Sequence, residues 1–134
     1  MASARCYHSD SLLADGRVLV MGGRQSDAIA ATESYDPSTN AWISLPAMPT
    51  ARYSFGMTKL VDGRVLVAGG FGILGEFVAK TELFNPVAQT WSAAGDLGTA
   101  HAGHSLTRLP EYLQFRATRS AGQRGRAQCF WPSL

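Results

Sequence analysis

Asp15-Gly16-Arg17-Val18-Leu19-Val20-Met21-Gly22-Gly23 returns as Asp62-Gly63-Arg64-Val65-Leu66-Val67-Ala68-Gly69-Gly70, 47 residues further on. Thr32-Glu33-Ser34-Tyr35-Asp36-Pro37 returns as Thr81-Glu82-Leu83-Phe84-Asn85-Pro86, and Trp42 as Trp91, both at an offset of 49. The chain is thus an internal repeat. The two-residue growth falls between Gly-Gly and Thr-Glu, which makes that segment a loop, because strand registers do not absorb insertions.

Each unit reads as four strands. Ser11–Ala14 and Arg17–Met21 flank Asp15-Gly16, as Met57–Val61 and Arg64–Ala68 flank Asp62-Gly63. Asp-Gly between apolar runs predicts a hairpin with a type I′ turn, both central residues at positive φ. Val18-Leu19-Val20 and Val65-Leu66-Val67 are apolar on both faces, which predicts strands covered on both sides. Gly22, Gly23, Gly69 and Gly70 end those strands where backbone packs closely or turns. Glu33-Ser34-Tyr35 and Glu82-Leu83-Phe84 are third strands, followed by turns at Asp36-Pro37 and Asn85-Pro86. Trp42 and Trp91 open fourth strands. No 3.6-residue apolar period in residues 5–109 is long enough for a helix.

These residues resemble the Kelch repeat, whose pattern is an arginine, a hairpin, Gly-Gly, a spaced Glu-x-aromatic, a turn and a tryptophan. The Asp-Gly-Arg-Val-Leu-Val version looks most like bacterial galactose-oxidase-type repeats. The resemblance implies an all-β fold, a partial Kelch-type β-propeller of two four-stranded antiparallel blades plus the start of a third. Residues 1–50 are then blade 1, 51–99 blade 2, 100–111 the start of a third repeat, and 112–134 a basic tail without repeat features. Gly22, Gly23, Gly69, Gly70, Glu33, Glu82, Tyr35, Phe84, Trp42 and Trp91 become structural residues of the blades. A complete propeller has about 4–8 blades.

The third repeat starts with Ala100-His101 and stops at Glu111. The 134 residues carry 46% hydrophobic and 16% charged residues, a single-domain composition. The net charge of +2 is uneven: residues 1–111 sum to −2 and residues 112–134 to +4. The body therefore offers no basic stripe for nucleic acid, and no apolar run has membrane-span length. Three readings of the tail stay open: a basic binding segment, a terminal cap in which Leu113-Gln114-Phe115 and Cys129-Phe130-Trp131 cover apolar surface, or sequence past a truncation or frame change. Met1–His8 holds no apolar core of signal-peptide length. The chain as written is expected in the cytoplasm with its two thiols, Cys6 and Cys129, reduced, unless it is a piece of a secreted precursor.

No cofactor, metal or catalysis is expected. His101 and His104 are too few for a metal site and read as surface or blade-edge residues on opposite strand faces. The copper chemistry that a galactose-oxidase likeness brings to mind needs histidines, tyrosines and a cysteine from several blades; Cys6, Tyr7 and His8 are sequence neighbours that a strand splays apart. Glu33 and Glu82 occupy one repeat position, which favours a structural role over paired-carboxylate catalysis. Arg5 and Arg52 are expected in inter-blade hydrogen bonds, and Arg17 and Arg64 at solvated hairpin positions. Function is expected in loops. By resemblance, Tyr7, Arg24, Ser54 and Phe71 face the partner-binding mouth, joined by Ile73, Leu74 and Phe77 of the second, apolar loop. The expected role is a protein-interaction or assembly module within a larger propeller, binding a protein partner or self-assembling head-to-tail as a homo-oligomer. The alternatives are an inactive fragment of a sugar-processing propeller enzyme and a truncated product without function.

Overall fold

The computed structural model describes residues 1–108 and the strand Phe115–Arg119. Strands β1 (Ser9–Leu12), β2 (Val18–Met21), β3 (Thr32–Asp36) and β4 (Ala41–Leu45) form one antiparallel sheet in sequence order. Strands β5 (Gly56–Lys59), β6 (Val65–Ala68), β7 (Thr81–Asn85) and β8 (Thr90–Ala93) form a second. A third, two-stranded sheet pairs β9 (His104–Arg108) with β10 (Phe115–Arg119). The described residues contain no helix. Strand β5 lies against both β1 and β9, so the first strands of the three sheets stand side by side.

Two apolar cores lie between the sheets. Leu13, Leu19, Met21 and Met48 of the first pack with Phe55, Val65, Val67 and Phe84 of the second. Leu60, Leu66, Ala68, Leu83 and Leu97 of the second pack with Leu106 of the third. The β6 run is apolar throughout because its sheet is covered on both faces, by the first sheet and by Leu106.

Two expectations require correction here. The Asp-Gly hairpins are not type I′: only Gly16 and Gly63 have positive φ, each 86°. The Gly16 amide donates to the Leu13 carbonyl (3.2 Å) and the Leu13 amide to the Arg17 carbonyl (2.8 Å), with the same pattern at Leu60, Gly63 and Arg64. This is a three-residue loop closed by a left-handed glycine, the other turn that a right-twisted hairpin accepts. Its aspartate clamps the arginine two residues on. The Arg17 amide and Nε donate to the Asp15 carboxylate at 3.1 and 2.8 Å, and those of Arg64 to Asp62 at 3.0 and 2.7 Å. Arg17 and Arg64 are therefore paired rather than simply solvated. The Arg17 amide, and with it the Arg17 side chain and charge, holds Asp15 below the usual carboxylate range against the upward push of burial. At Asp62, burial pushes upward, and the Arg64 amide and side chain outweigh it.

Strand β10 pairs with β9 although Phe115–Arg119 has no repeat signature. The expectations for Leu113, Gln114 and residues 120–134 lie outside the described residues.

The second correction concerns His101 and His104, which are buried, at 5% and 7% exposure. Gly103, at φ 64°, breaks the extended backbone between them. Strand alternation therefore does not apply, and the rings meet edge-on with centroids 6.3 Å apart. His104 sits where a Cβ on Gly56 or Gly69 would meet its ring at 2.8 or 2.5 Å. Burial, reinforced by His101, lowers its pKa from 6.5 to about 4, with the Ala68 backbone opposing.

Candidate interaction surface

The buried carboxylates define what in each repeat is structural. Arg52 Nη1 donates to the carbonyls of Gly69 (3.0 Å) and Lys80 (2.8 Å), and Nη2 lies 3.0 Å from Glu82 Oε2. The Thr50 hydroxyl donates to the other Glu82 oxygen at 2.6 Å. Burial lowers the Arg52 pKa from its ordinary value, while Glu82 and then Asp96 pull it back. Arg5 repeats the arrangement with Glu33 and the carbonyls of Gly22 and Ala31. These arginine side chains brace a single blade, contrary to the inter-blade expectation. The backbone of Arg52 does cross between blades, accepting from the Gly23 amide at 2.9 Å. Glu33 and Glu82 are thus committed to packing.

The variable residues collect at the Gly-Gly end of the strands, opposite the Asp-Gly hairpins. Paired backbone hydrogen bonds join Cys6 to Arg24, and Tyr53 to Phe71, and bridges continue from Arg24 to Ala28 and from Phe71 to Phe77. In blade 2 this small ladder carries three aromatic rings. Tyr53 stacks on Phe71 at 5.3 Å, and Phe71 meets Phe77 at 4.9 Å. Tyr7 extends the row from blade 1, 6.2 Å from Tyr53, and the Arg24 guanidinium lies 5.3 Å over the Tyr53 ring. Such a placement favours the cation. Tyr7 and Phe77 remain 62% and 60% exposed.

A backbone chain holds the row. Tyr7 and Ser54 take left-handed φ of 56° and 52°, and the Ser54 amide donates to the Tyr7 carbonyl at 3.1 Å. Gly103 continues the series, donating to Ser54 at 2.8 Å. The structure therefore gathers Tyr7, Arg24, Phe71 and Phe77, with Ser54 supplying backbone beneath them. Ile73 and Leu74 stay at the exposed tip of the Gly72–Gly75 turn, outside the row. Tyr53 was not singled out by the sequence, because its repeat equivalent is Cys6. The signal that finds it is pairing with Phe71 across the ladder.

At the opposite end, a cleft of about 390 Å³ opens between the blades, with Leu13, Ala14, Pro86 and Val87 among its walls. Among the described residues, no group of three or more His, Cys, Asp or Glu is placed to hold a metal ion.

Residues 5–49 match the Kelch motif. The chain is 40% identical over 76 residues to human Kelch-like protein 34, covering 57% of this chain and 12% of that protein. It is 31% identical over 115 residues to spermatocyte protein spe-26 of Caenorhabditis elegans, covering 79% and 20%. It is 33% identical over 86 residues to an F-box/kelch-repeat protein of Arabidopsis thaliana, covering 60% and 23%. Among solved structures, that of YjhT superposes with a TM-score of 0.75 at 18% identity, over 87% of this chain and 44% of the other. Residues 5–49 thus carry a Kelch motif, and the fold is that of a partial Kelch-type β-propeller. It spans less than a quarter of the length of these curated relatives. They come from animals and a plant, which lends nothing to the bacterial galactose-oxidase likeness.

Proposed function

We propose that this chain is a non-catalytic protein-interaction module within a larger Kelch assembly, and that it engages a protein partner through the row Tyr7–Tyr53–Phe71–Phe77 with Arg24. The observation that supports this reading is four aromatic rings in series on a scaffolded loop end, two of them more than half exposed. Rigid aromatic side chains and arginine supply large contact area at low entropic cost and dominate binding energy at interfaces. The buried Arg–Glu pairs below fix the backbone that displays them. Affinity capture followed by mass spectrometry tests the reading. A Tyr7→Ala/Phe77→Ala variant should lose a discrete set of partners while keeping the wild-type thermal melt. Equal capture by both proteins would refute it.

A further inference from the structure

Blade 2 has two seams, one where its leading face meets the first sheet and one where its trailing face meets β9. They are built alike. At the first, the Phe55 ring fills the slot left by Gly22, where a Cβ would meet its Cε1 at 2.7 Å. At the second, the His104 ring fills the slot left by Gly69, where a Cβ would meet its Cε1 at 2.5 Å. Matching backbone hydrogen bonds close both. At the first seam the Gly23 amide donates to the Arg52 carbonyl (2.9 Å) and the Ser54 amide to the Tyr7 carbonyl (3.1 Å). At the second the Gly70 amide donates to the His101 carbonyl (2.7 Å) and the Gly103 amide to the Ser54 carbonyl (2.8 Å).

The seams differ in what acid does to them. Phe55 has no charge to gain, and Arg52, paired with Glu82, keeps its own. His104 and His101 hold those two repeat positions at the second seam, and histidine is the side chain whose charge changes near neutral pH. His104 is buried with the Gly56 and Gly69 backbones against its ring, so an imidazolium there would lose its hydration. The charged and titratable groups around it offer no compensation. His101 meets it edge-on, and Arg119 is its register partner on β10. Gly56 of β5 and Gly69 after β6 bring no charge, and beyond Gly69 the Arg52 guanidinium holds that residue's carbonyl and is itself paired with Glu82. His8 and Asp10 of β1 are exposed across the cleft. Among the described residues, no carboxylate stabilises the charged form of His104.

We propose that His104 makes the trailing seam an acid-released latch: protonation undocks β9 from blade 2 and bares Leu60, Leu66 and Leu97, while the seam between the first two sheets stays closed. The docked ring excludes the proton and the released ring takes one from water, so falling pH draws the equilibrium towards release. The pKa of His104 is about 4 when docked against an ordinary 6.5. Opening of the seam should therefore rise about 20-fold between about pH 7 and pH 5. The latch is independent of the aromatic row.

Native-state amide hydrogen exchange on the full chain reads both seams in one experiment, each rate corrected for its intrinsic value at that pH. Gly70 and Gly103 should open about 20-fold more at pH 5 than at pH 7, and Gly23 and Ser54, which hold the matching positions at the first seam, should not change. His104→Phe, which puts the ring of Phe55 into the Gly69 slot, should abolish the rise. His8→Gln/Asp10→Asn, at exposed positions, should leave it intact. Four amides that open together report unfolding of the whole chain and overturn the proposal, as does unchanged opening at Gly70 and Gly103. A rise that survives His104→Phe, or one that vanishes in His8→Gln/Asp10→Asn, places the titration elsewhere and overturns it too. The comparison between seams in the wild-type chain needs no variant and decides the matter if His104→Phe does not fold.

Discussion

Glu82 receives a guanidinium where side-chain exposure is 0% for Arg52 and 5% for Glu82. A buried pair of this kind adds little relative to apolar residues of equal size, but removing one partner strands the other. Glu82→Ala should therefore cost about 3–5 kcal/mol in urea melts. Arg52→Met combined with Glu82→Leu should recover part of that loss, and a double-mutant cycle showing simple additivity would refute the coupling. The third repeat has His101 in place of the arginine. Beside it, His104 is neutral in the folded protein down to about pH 4, and its ordinary value is 6.5. Between those values the unfolded chain binds the extra proton, so stability falls as pH drops from 6.5 towards 4 and rises again on return. The loss from this one group approaches about 3 kcal/mol at the acid end. Among the described side chains, His101 on its own segment, and His8 and Asp10 across the cleft that β1, β5 and β9 line, are the titratable groups around it. His104→Phe, which restores the aromatic ring found at Phe55, should flatten the pH dependence measured by chemical denaturation. An unchanged slope would assign the titration elsewhere.

At the scale of strands and turns, most of the architecture was legible because it is written twice. The strand order, the Gly-Gly termini and the shared role of Glu33 and Glu82 all follow from comparing two copies. What the repeat could not resolve were choices that one residue pair leaves open. Asp-Gly suits both a two-residue type I′ turn and a three-residue loop ending in a left-handed glycine, and the Asp clamp on Arg17 and Arg64 selects the second. The burial of His101 and His104 depended on the φ of Gly103, which their i, i+3 spacing does not encode. Matched positions also conceal unequal environments. Trp91 has blade 1 beside it and donates to Pro46, whereas Trp42 is 41% exposed. Trp91→Ala should thus lower stability by roughly 2–3 kcal/mol, below the full-burial range because the indole is only partly covered. Trp42→Ala should cost under about 1 kcal/mol. Equal losses in parallel thermal melts would mean that both indoles are covered in solution.

Across the whole molecule, stability depends on each sheet having a neighbour. Repeat units cannot bury their apolar faces alone. The first sheet covers the leading face of the second, and β9 covers its trailing face through Leu106, set against Leu60, Leu66 and Leu97. The backbone enforces the same seating: the Gly70 amide donates to the His101 carbonyl at 2.7 Å, as the Gly23 amide donates to Arg52. Strand β9 is therefore the cover of blade 2 even though the sequence beyond it has lost the Kelch pattern. A protein ending at Thr99 would expose the leucines of that face while keeping both four-stranded sheets. Apolar surface left in water costs about 25 cal/mol per Å², so exposing a few hundred Å² removes several kcal/mol from a domain whose total stability is about 5–15 kcal/mol. The shortened protein should self-associate or lose its cooperative melt. Leu60→Ser with Leu97→Ser in that shortened protein should restore solubility without restoring stability, because the exposed face becomes tolerable to water while its packing partner stays absent. If light scattering and calorimetry find the shortened chain monomeric and as stable as the full one, β9 does not serve as the cover.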